Sequence, residues 1–210
     1  MATDFTHRYV AGTGPRTLLL LHGTGGNEND LLGLGAQLLP GANLLSPRGQ
    51  VLEGSMPRFF RRLAEGVFDQ EDLAVRTREL ADFLSDAAIR YRFDPAQVTA
   101  VGYSNGANIA ASLLLSQPGL LRIALLFRAM VPYETRPHGL EGTRVLLATG
   151  RRDPIIPLAN AERLAALLRE GGAEVTLDVR EAGHQLEAGE IESARRWLAG
   201  SGAPHRSTPA

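Results

Sequence analysis

Ser104 is the residue of this sequence whose setting most clearly indicates chemistry. It lies at the centre of the segment 102–106, which reads GYSNG and matches the pattern G-x-S-x-G. An apolar run at 98–103 precedes the serine, and small residues typical of a closely packed helix follow it. A sharp strand-to-helix turn presents a serine hydroxyl at the carboxyl edge of a sheet, and flanking glycines leave space for such a turn. The pattern therefore predicts a nucleophilic serine, and the alternative is a chance turn between two glycines.

A serine hydroxyl is a weak nucleophile and needs a base that a third group orients. Among the five histidines, His184 is the one that lies in a loop between the last strand pattern and the last helix pattern. Asp153 lies in an equivalent loop, after the apolar run at 144–149. Loops at the carboxyl ends of parallel strands are where open α/β sheets form their sites. We therefore predict that His184 is the base and Asp153 the orienting acid; the alternatives are a solvated histidine and a helix-capping aspartate.

Two backbone N–H groups are expected to stabilise the oxyanion that forms when the serine attacks a carbonyl group. One belongs to Asn105, the residue after the nucleophile. The other is assigned to Thr24, in the glycine-rich segment HGTGGN at 22–27 that follows the first apolar run. A flexible turn is the alternative for this segment, whereas a phosphate-binding loop is excluded because no Gly-Lys-Ser/Thr follows. His22 is predicted to brace the loop.

Short apolar runs alternate with amphipathic stretches along most of the chain. The runs lie at 17–21, 42–46, 98–103, 123–127, 144–149 and 175–179. Near-continuous apolar runs of this length are typical of strands covered on both faces, and the stretches between them have helical periodicity. We predict an α/β fold with a mostly parallel central sheet, helices on both faces and an edge strand at 5–10. The expected organisation is one domain at 1–199 and a disordered tail at 200–210.

The walls of the substrate pocket are expected to come from the segment 49–70 and from the loop after the strand at 123–127. The stretch 131–143 before the next strand is too short to form an additional helical domain. The segment MPRFFRR at 56–62 has two open interpretations: a packed phenylalanine pair with solvated arginines, or a lid whose arginines attract an acidic group of the substrate. The predicted substrate contacts are Met56, Phe59, Phe60, Tyr103, Met130 and Val131.

The composition excludes several classes of function. The chain has 210 residues, 22 basic and 23 acidic side chains and a formal net charge of -1, so no basic excess favours nucleic acid. The absence of cysteine excludes thiol nucleophiles, disulfides and cysteine-ligated metals. No apolar run approaches the roughly 20 residues that span a bilayer, and no signal peptide is recognisable, so a cytoplasmic protein is expected. We expect a small-molecule substrate and neither a metal nor an organic cofactor; the oligomeric state, a homodimer included, stays open.

Five segments occur in the order that a known enzyme family has them. They are HGTGGNE at 22–28, SPRG at 46–49, GYSNG at 102–106, GRRDPIIP at 150–157 and GH at 183–184. On these segments the chain resembles the α/β-hydrolase superfamily, in particular its small bacterial phospholipase/carboxylesterase family, over nearly its whole length. The resemblance implies the α/β-hydrolase fold and a serine esterase that forms an acyl-enzyme. It also implies that Ser104, His184 and Asp153 form the triad and that Thr24 and Asn105 supply the oxyanion donors.

Asn105 is a departure from part of this family. Many acyl-protein thioesterases of the same branch carry glutamine after the serine, so the resemblance favours a carboxylesterase here. Esters of short or medium acyl groups are the expected substrates. A protein of this family without a cap domain lacks a long covered groove for a longer acyl group. Acyl thioesterase and lysophospholipase activity on the same triad are the alternatives. A non-catalytic binding module is disfavoured because all three triad residues are present.

Overall fold

A computed structural model describes residues 5–200 and contains a mostly parallel sheet of seven strands in the order β1-β3-β2-β8-β9-β10-β11. The strands are β1 (His7–Val10), β2 (Thr17–Leu21), β3 (Asn43–Pro47), β4 (Val51–Glu53), β5 (Met56–Arg58), β6 (Arg62–Ala64), β7 (Val67–Phe68), β8 (Val98–Tyr103), β9 (Ile123–Phe127), β10 (Arg144–Gly150) and β11 (Glu174–Arg180). The helices are α1 (Leu32–Leu38), α2 (Gln70–Tyr91), α3 (Asn105–Ser116), α4 (Leu158–Glu170) and α5 (Ala188–Gly200), with a short 3-10 helix at Pro95–Gln97. The edge strand β1 pairs antiparallel with β3. The predicted fold class is confirmed.

Helices cover both faces of this sheet because its central strands are apolar on both sides. Along β2, Leu19 and Leu21 face one hydrophobic core and Leu18 and Leu20 face the other, as the two-residue period of a strand requires. The first core contains buried residues of α2, α3 and α4, and the second contains buried residues of α1 and α5. The sheet is therefore the middle of three layers.

The loops that carry the predicted site residues lie at one edge of the sheet. Thr24, Ser104, Asp153 and His184 follow β2, β8, β10 and β11 respectively. These strands are parallel to one another across the sheet. Since the carboxyl ends of parallel strands meet at the same edge, the topology brings together residues that are far apart in the chain.

The segment 49–70 is more ordered than the sequence indicates. It forms two small antiparallel hairpins, β4–β5 and β6–β7, outside the main sheet. Gly54 and Gly66, at the turns of these hairpins, have φ angles of +62° and +74°, which glycine adopts at little cost. Strands of two or three residues are too short for a hydrophobic period, which is why the sequence pattern did not predict them.

The connection between β9 and β10 contains no cap domain. Residues 128–143 form neither helix nor strand. At the other end of the chain, α5 continues to Gly200, the first residue of the predicted tail, because the helical pattern runs on past the last apolar position. The remainder of that tail, 201–210, lies outside the described residues. Within the described range 5–200, no helix is both long and apolar enough to cross a bilayer.

Candidate active site

Ser104 lies in a tight turn between β8 and α3. Its φ and ψ are +52° and -115°, a conformation that residues other than glycine rarely adopt. The chain can turn this sharply because glycines lie on both sides of it. A Cβ atom on Gly102 would lie 2.6 Å from the backbone of α3, and one on Gly106 would overlap the carbonyl oxygen of Leu21. α3 begins at the next residue, so the free N–H groups and the positive dipole end of this helix lie next to the serine.

His184 bridges Ser104 and Asp153. Its Nε2 lies 3.1 Å from Ser104 Oγ, and its Nδ1 lies 2.8 Å from Asp153 Oδ2. The Asp153 side chain is fully buried, and its Oδ1 accepts hydrogen bonds from the N–H groups of Ile155 and Ile156 at 2.8 and 3.1 Å. An ionised carboxylate only accepts, so this contact favours the imidazole proton on Nδ1 and leaves Nε2 able to accept the serine proton. The arrangement has the geometry of a base-activated serine.

Arg128 stabilises the loop after β11 through several hydrogen bonds. The sequence analysis did not identify this residue. Its fully buried guanidinium donates to both oxygens of Glu190, at 2.6 and 2.8 Å. It also donates to the carbonyl oxygens of Gly183 and Gln185, at 2.8 and 2.9 Å. Its Nε lies 3.9 Å from Asp153 Oδ2, so one cation contacts both the histidine loop and the acid. No local motif indicates this role, because Asp153 lies 25 positions along the chain and the other partners lie 55 to 62 positions along it.

Thr24 and Asn105 line the same pocket as Ser104. Their side chains also attach the segment 49–70 to the sheet. Thr24 Oγ1 accepts from Arg58 Nη1 at 2.6 Å, and Asn105 Oδ1 accepts from the N–H of Phe59 at 2.7 Å. Asn105 Nδ2 is buried and has no hydrogen-bond partner among the described residues. Both residues therefore line the pocket of Ser104 and hold its wall through a side-chain contact.

The pocket beside Ser104 has a volume of about 40 Å³, which is room for a few water-sized groups. Its walls come from the segment 49–70, from the turn between β8 and α3 (the elbow, residues 102–106) and from the loops after β2, β9 and β10. Beyond Thr24, Ser104 and Asn105, the side chains that shape it include Arg58, Arg62, Phe68, Met130, Ile155 and Ile156. Ile155 and Ile156 stand two and three positions after the predicted acid, a signal that could have been used. Within residues 5–200, no cluster of three or more histidine, aspartate or glutamate side chains could hold a metal ion.

Phe59 and Phe60 do not line this pocket. They are 2% and 0% exposed and belong to the core between the sheet and α2. The packed phenylalanine pair is therefore the correct interpretation for the two rings. The accompanying expectation of solvated arginines is wrong for Arg58, which is 3% exposed. A buried ring gains more from the core than from an open site, which explains why these residues turn inward.

Three further predicted substrate contacts are placed outside the pocket. The Met56 side chain is exposed and lies beside Gly25. The Tyr103 hydroxyl donates to the carbonyl oxygen of His184 at 3.1 Å, so this ring supports the histidine loop. Val131, half-buried, is held by its N–H, which donates to a side-chain oxygen of α4 at 2.8 Å. Met130 alone among the six predicted contacts lines the pocket that the described residues form.

His22 braces the loop at 22–27, as the sequence predicts. Its Nδ1 lies 2.7 Å from the carbonyl oxygen of Gly23, and its Nε2 accepts from the N–H of Gly49 at 2.9 Å. Since one ring nitrogen accepts, the buried imidazole is neutral. Burial is the main cause that lowers the pKa of His22 below its usual value of 6.5.

Acid is expected to destabilise the fold through His22. Because the pKa is lower in the folded chain than in the unfolded chain, the unfolded chain binds the extra proton, and stability is lost as the pH falls from about 6.5 toward the folded pKa. The measurement is the free energy of unfolding in urea between about pH 8 and pH 5. The pH slope should be smaller in His22→Gln than in the wild type, whereas the exposed-site control His138→Gln keeps the wild-type slope. Equal slopes in all three proteins would contradict the prediction.

Comparison with known proteins places this geometry in a family context. A family model described as phospholipase/carboxylesterase matches residues 12–201. MhqD of Bacillus subtilis (strain 168) is 50% identical over 196 residues, which cover 91% of this chain and 96% of that protein. The crystal structure of the Bacillus cereus carboxylesterase is 49% identical, with a TM-score of 0.91 over 92% of this chain and 93% of that one. The structure of YahD with malic acid is 30% identical, with a TM-score of 0.87 over 92% and 98% of the two chains.

Proposed function

The chain belongs to the phospholipase/carboxylesterase family and is a hydrolase of ester substrates, and on this premise we propose that it is a serine carboxylesterase with Ser104 as nucleophile, His184 as base and Asp153 as orienting acid. The observation that carries the proposal is the continuous chain of contacts from Ser104 Oγ through His184 to Asp153, at 3.1 and 2.8 Å. The likeness to the Bacillus cereus carboxylesterase, at 49% identity, supports the same activity.

The proposed reaction has two halves. His184 Nε2 takes the proton of Ser104 as Oγ attacks the ester carbonyl, and the N–H groups of Thr24 and Asn105 stabilise the oxyanion. The oxyanion collapses with cleavage of the ester C–O bond, and His184 protonates the departing alcohol. Water then attacks the acyl-enzyme in the same way, so that the acid is released and the serine proton restored. Asp153 holds the imidazole in the required tautomer and stabilises its positive charge throughout.

Labelling with a fluorophosphonate tests this proposal directly. The reagent reacts with serine hydroxyls that a base activates, so mass spectrometry should locate one phosphonyl group on Ser104. Labelling should be lost in the Ser104→Ala variant and retained in Ser85→Ala, which alters an exposed helical serine. An unlabelled wild-type protein would contradict the proposal. Rates on a matched oxygen ester, thioester and amide should then be highest for the oxygen ester.

Small substrates suit the site best. No cap domain covers the serine, and the adjoining pocket holds about 40 Å³ between Phe68, Met130, Ile155 and Ile156. A small acid is also the ligand named for the YahD structure. We therefore extend the proposal to esters with short or medium acyl chains.

The specificity constant kcat/KM is expected to peak between acetyl and hexanoyl esters. Each buried methylene contributes about 0.8 kcal/mol, so lengthening the chain helps until the pocket is filled and gives nothing afterwards. The measurement is kcat/KM for p-nitrophenyl esters from acetyl to palmitoyl, with detergent controls. Met130→Ala should move the maximum to a longer chain, and Met56→Ala, outside the pocket, should not. A continuous rise to palmitoyl would overturn the prediction and favour a lysophospholipase.

A further inference from the structure

Arg58 is a buried cation in the wall of the pocket that holds Ser104. Its side chain is 3% exposed. Nε donates to the carbonyl oxygen of Phe60 at 3.2 Å, and Nη1 donates to Thr24 Oγ1 at 2.6 Å. Both acceptors are neutral. Charged side chains are rarely buried this deeply unless a carboxylate compensates them.

The carboxylate near Arg58 is committed to a different arginine. Glu53 accepts from Arg62 through both of its oxygens, at 2.9 and 2.7 Å, in the bidentate geometry of a strong pair. Its distance to Arg58 Nη1 is 3.5 Å, beyond a normal hydrogen bond, and no other carboxylate of residues 5–200 reaches Arg58 within 4.0 Å. Burial first, and then the neighbouring charge of Arg62, lower the pKa of Arg58. Glu53 therefore compensates the positive charges of Arg58 and Arg62 only in part.

The other buried arginine, Arg128, has a fully compensated charge. Arg128 has a carboxylate of its own, Glu190, which it binds through two short hydrogen bonds. Arg128 also lies beneath the site, whereas Arg58 lines the pocket itself. Arg128 is thus fully paired within the protein, whereas Arg58 lines the pocket with a charge that Glu53 compensates only in part.

The position of Arg58 is close to the reacting atoms. It contacts the side chain of Thr24, whose N–H is the proposed oxyanion donor. Arg62 lines the same pocket while it pairs with Glu53. Glu65 also lines the pocket, but its side chain is exposed, so water screens its charge more than that of Arg58. Arg58 is consequently the charged group of this pocket that water screens least.

We propose that Arg58 and Arg62 form a subsite for an anionic carboxylate that the ester substrate carries next to its scissile ester. This inference rests on the proposed carboxylesterase function and names its substrate class: half-esters of small dicarboxylic acids. A planar guanidinium recognises a carboxylate with paired N–H donors, and an anion next to Arg58 would complete the compensation that Glu53 provides in part. The pocket volume of about 40 Å³ suits a group of a few atoms, such as a carboxylate.

The test compares two esters that differ in one charge. Monoethyl succinate carries a free carboxylate, and ethyl succinamate replaces it with a neutral amide of nearly the same shape. The quantity measured is the ratio of their kcat/KM values, because a ratio cancels any general loss of activity in a variant. In the wild type the anionic ester should be favoured about tenfold or more, the discrimination expected of one charge-assisted hydrogen bond.

Three variants separate a binding role from a structural one. Arg62→Gln should lower the ratio several-fold, and Arg58→Gln should bring it close to one. Arg58→Lys keeps the charge and should keep a ratio well above that of Arg58→Gln. Arg61→Gln is the matched control, since Arg61 is exposed, pairs with Asp69 outside the pocket and should leave the ratio unchanged. If Arg58→Gln does not fold, the ratios of Arg62→Gln and Arg61→Gln still test the subsite.

The outcomes distinguish failure of this inference from failure of the carboxylesterase proposal. A wild-type enzyme that hydrolyses ethyl succinamate through Ser104 but shows a ratio near one would overturn the subsite alone. The same holds if the ratio stays high in Arg62→Gln and in folded Arg58→Gln. If neither ester, nor p-nitrophenyl acetate, is hydrolysed, both proposals fail.

A binding measurement adds an independent check. Succinate should slow fluorophosphonate labelling of Ser104, whereas succinamide and inorganic phosphate at equal concentration should not. Protection by phosphate would indicate a phosphate subsite instead.

Discussion

Replacement of Ser104 by alanine is expected to abolish ester hydrolysis and to leave the fold intact. The Ser104 hydroxyl is the proposed nucleophile, so kcat should fall by a factor on the order of 10⁶, as in a serine protease that has lost its nucleophile. The side chain fills no part of either hydrophobic core, so the free energy of unfolding should change by less than about 1 kcal/mol.

The measurement is kcat on p-nitrophenyl acetate together with urea unfolding of the same preparation. Ser85→Ala serves as the control, because Ser85 is an exposed serine of α2 that bonds to its own helix. Substantial activity in a folded Ser104→Ala protein would assign the chemistry to another residue. Loss of both activity and fold would show that alanine is not tolerated in the turn at 102–106. Ser104→Gly, which suits the positive φ of that position, would then restore folding without activity.

Asp153→Asn is expected to lower kcat by about 10⁴, the loss seen for the same change in a serine protease. The reason lies in the tautomer of His184. The amide oxygen can replace Oδ1 and accept from the N–H groups of Ile155 and Ile156, which directs the NH₂ group toward His184 Nδ1. Nδ1 must then accept, the imidazole proton moves to Nε2, and that nitrogen can no longer take the proton of Ser104.

Steady-state kinetics on one activated ester test this, with Asp178→Asn as the control. Asp178 is an aspartate of β11 that pairs with Arg180, away from the histidine, and its replacement should leave kcat within about twofold of the wild type. KM should change little in Asp153→Asn, because the acid does not line the pocket. An unchanged kcat would show that a different acid orients His184.

The amino-acid sequence by itself determined the sheet, its core strands and the edge at which the site lies. Continuous apolar runs predict strands buried on both faces, and alternation with helical patterns makes those strands parallel. The elbow is equally local, because the steric demands of the turn fall on Gly102, Ser104 and Gly106, which lie within five residues of one another. His184 and Asp153 could be named because each stands in a loop at the carboxyl end of a strand. In all these cases the information lies in short stretches of chain, where spacing and residue type act directly on the backbone.

The tertiary structure alone decided which residues line the pocket and which charges are compensated. Phe59 and Arg58 are neighbours in a segment without periodicity, and nothing local indicates that the ring enters the core while the guanidinium turns to the pocket. The pairing of Arg128 with Glu190 spans 62 positions and is equally invisible along the chain. Burial and ion pairing depend on distances through space, and a sequence specifies those distances only after every element has packed. The scaffold therefore follows from patterns along the chain, whereas the selectivity proposed for Arg58 and Arg62 follows from how two distant parts of the chain meet.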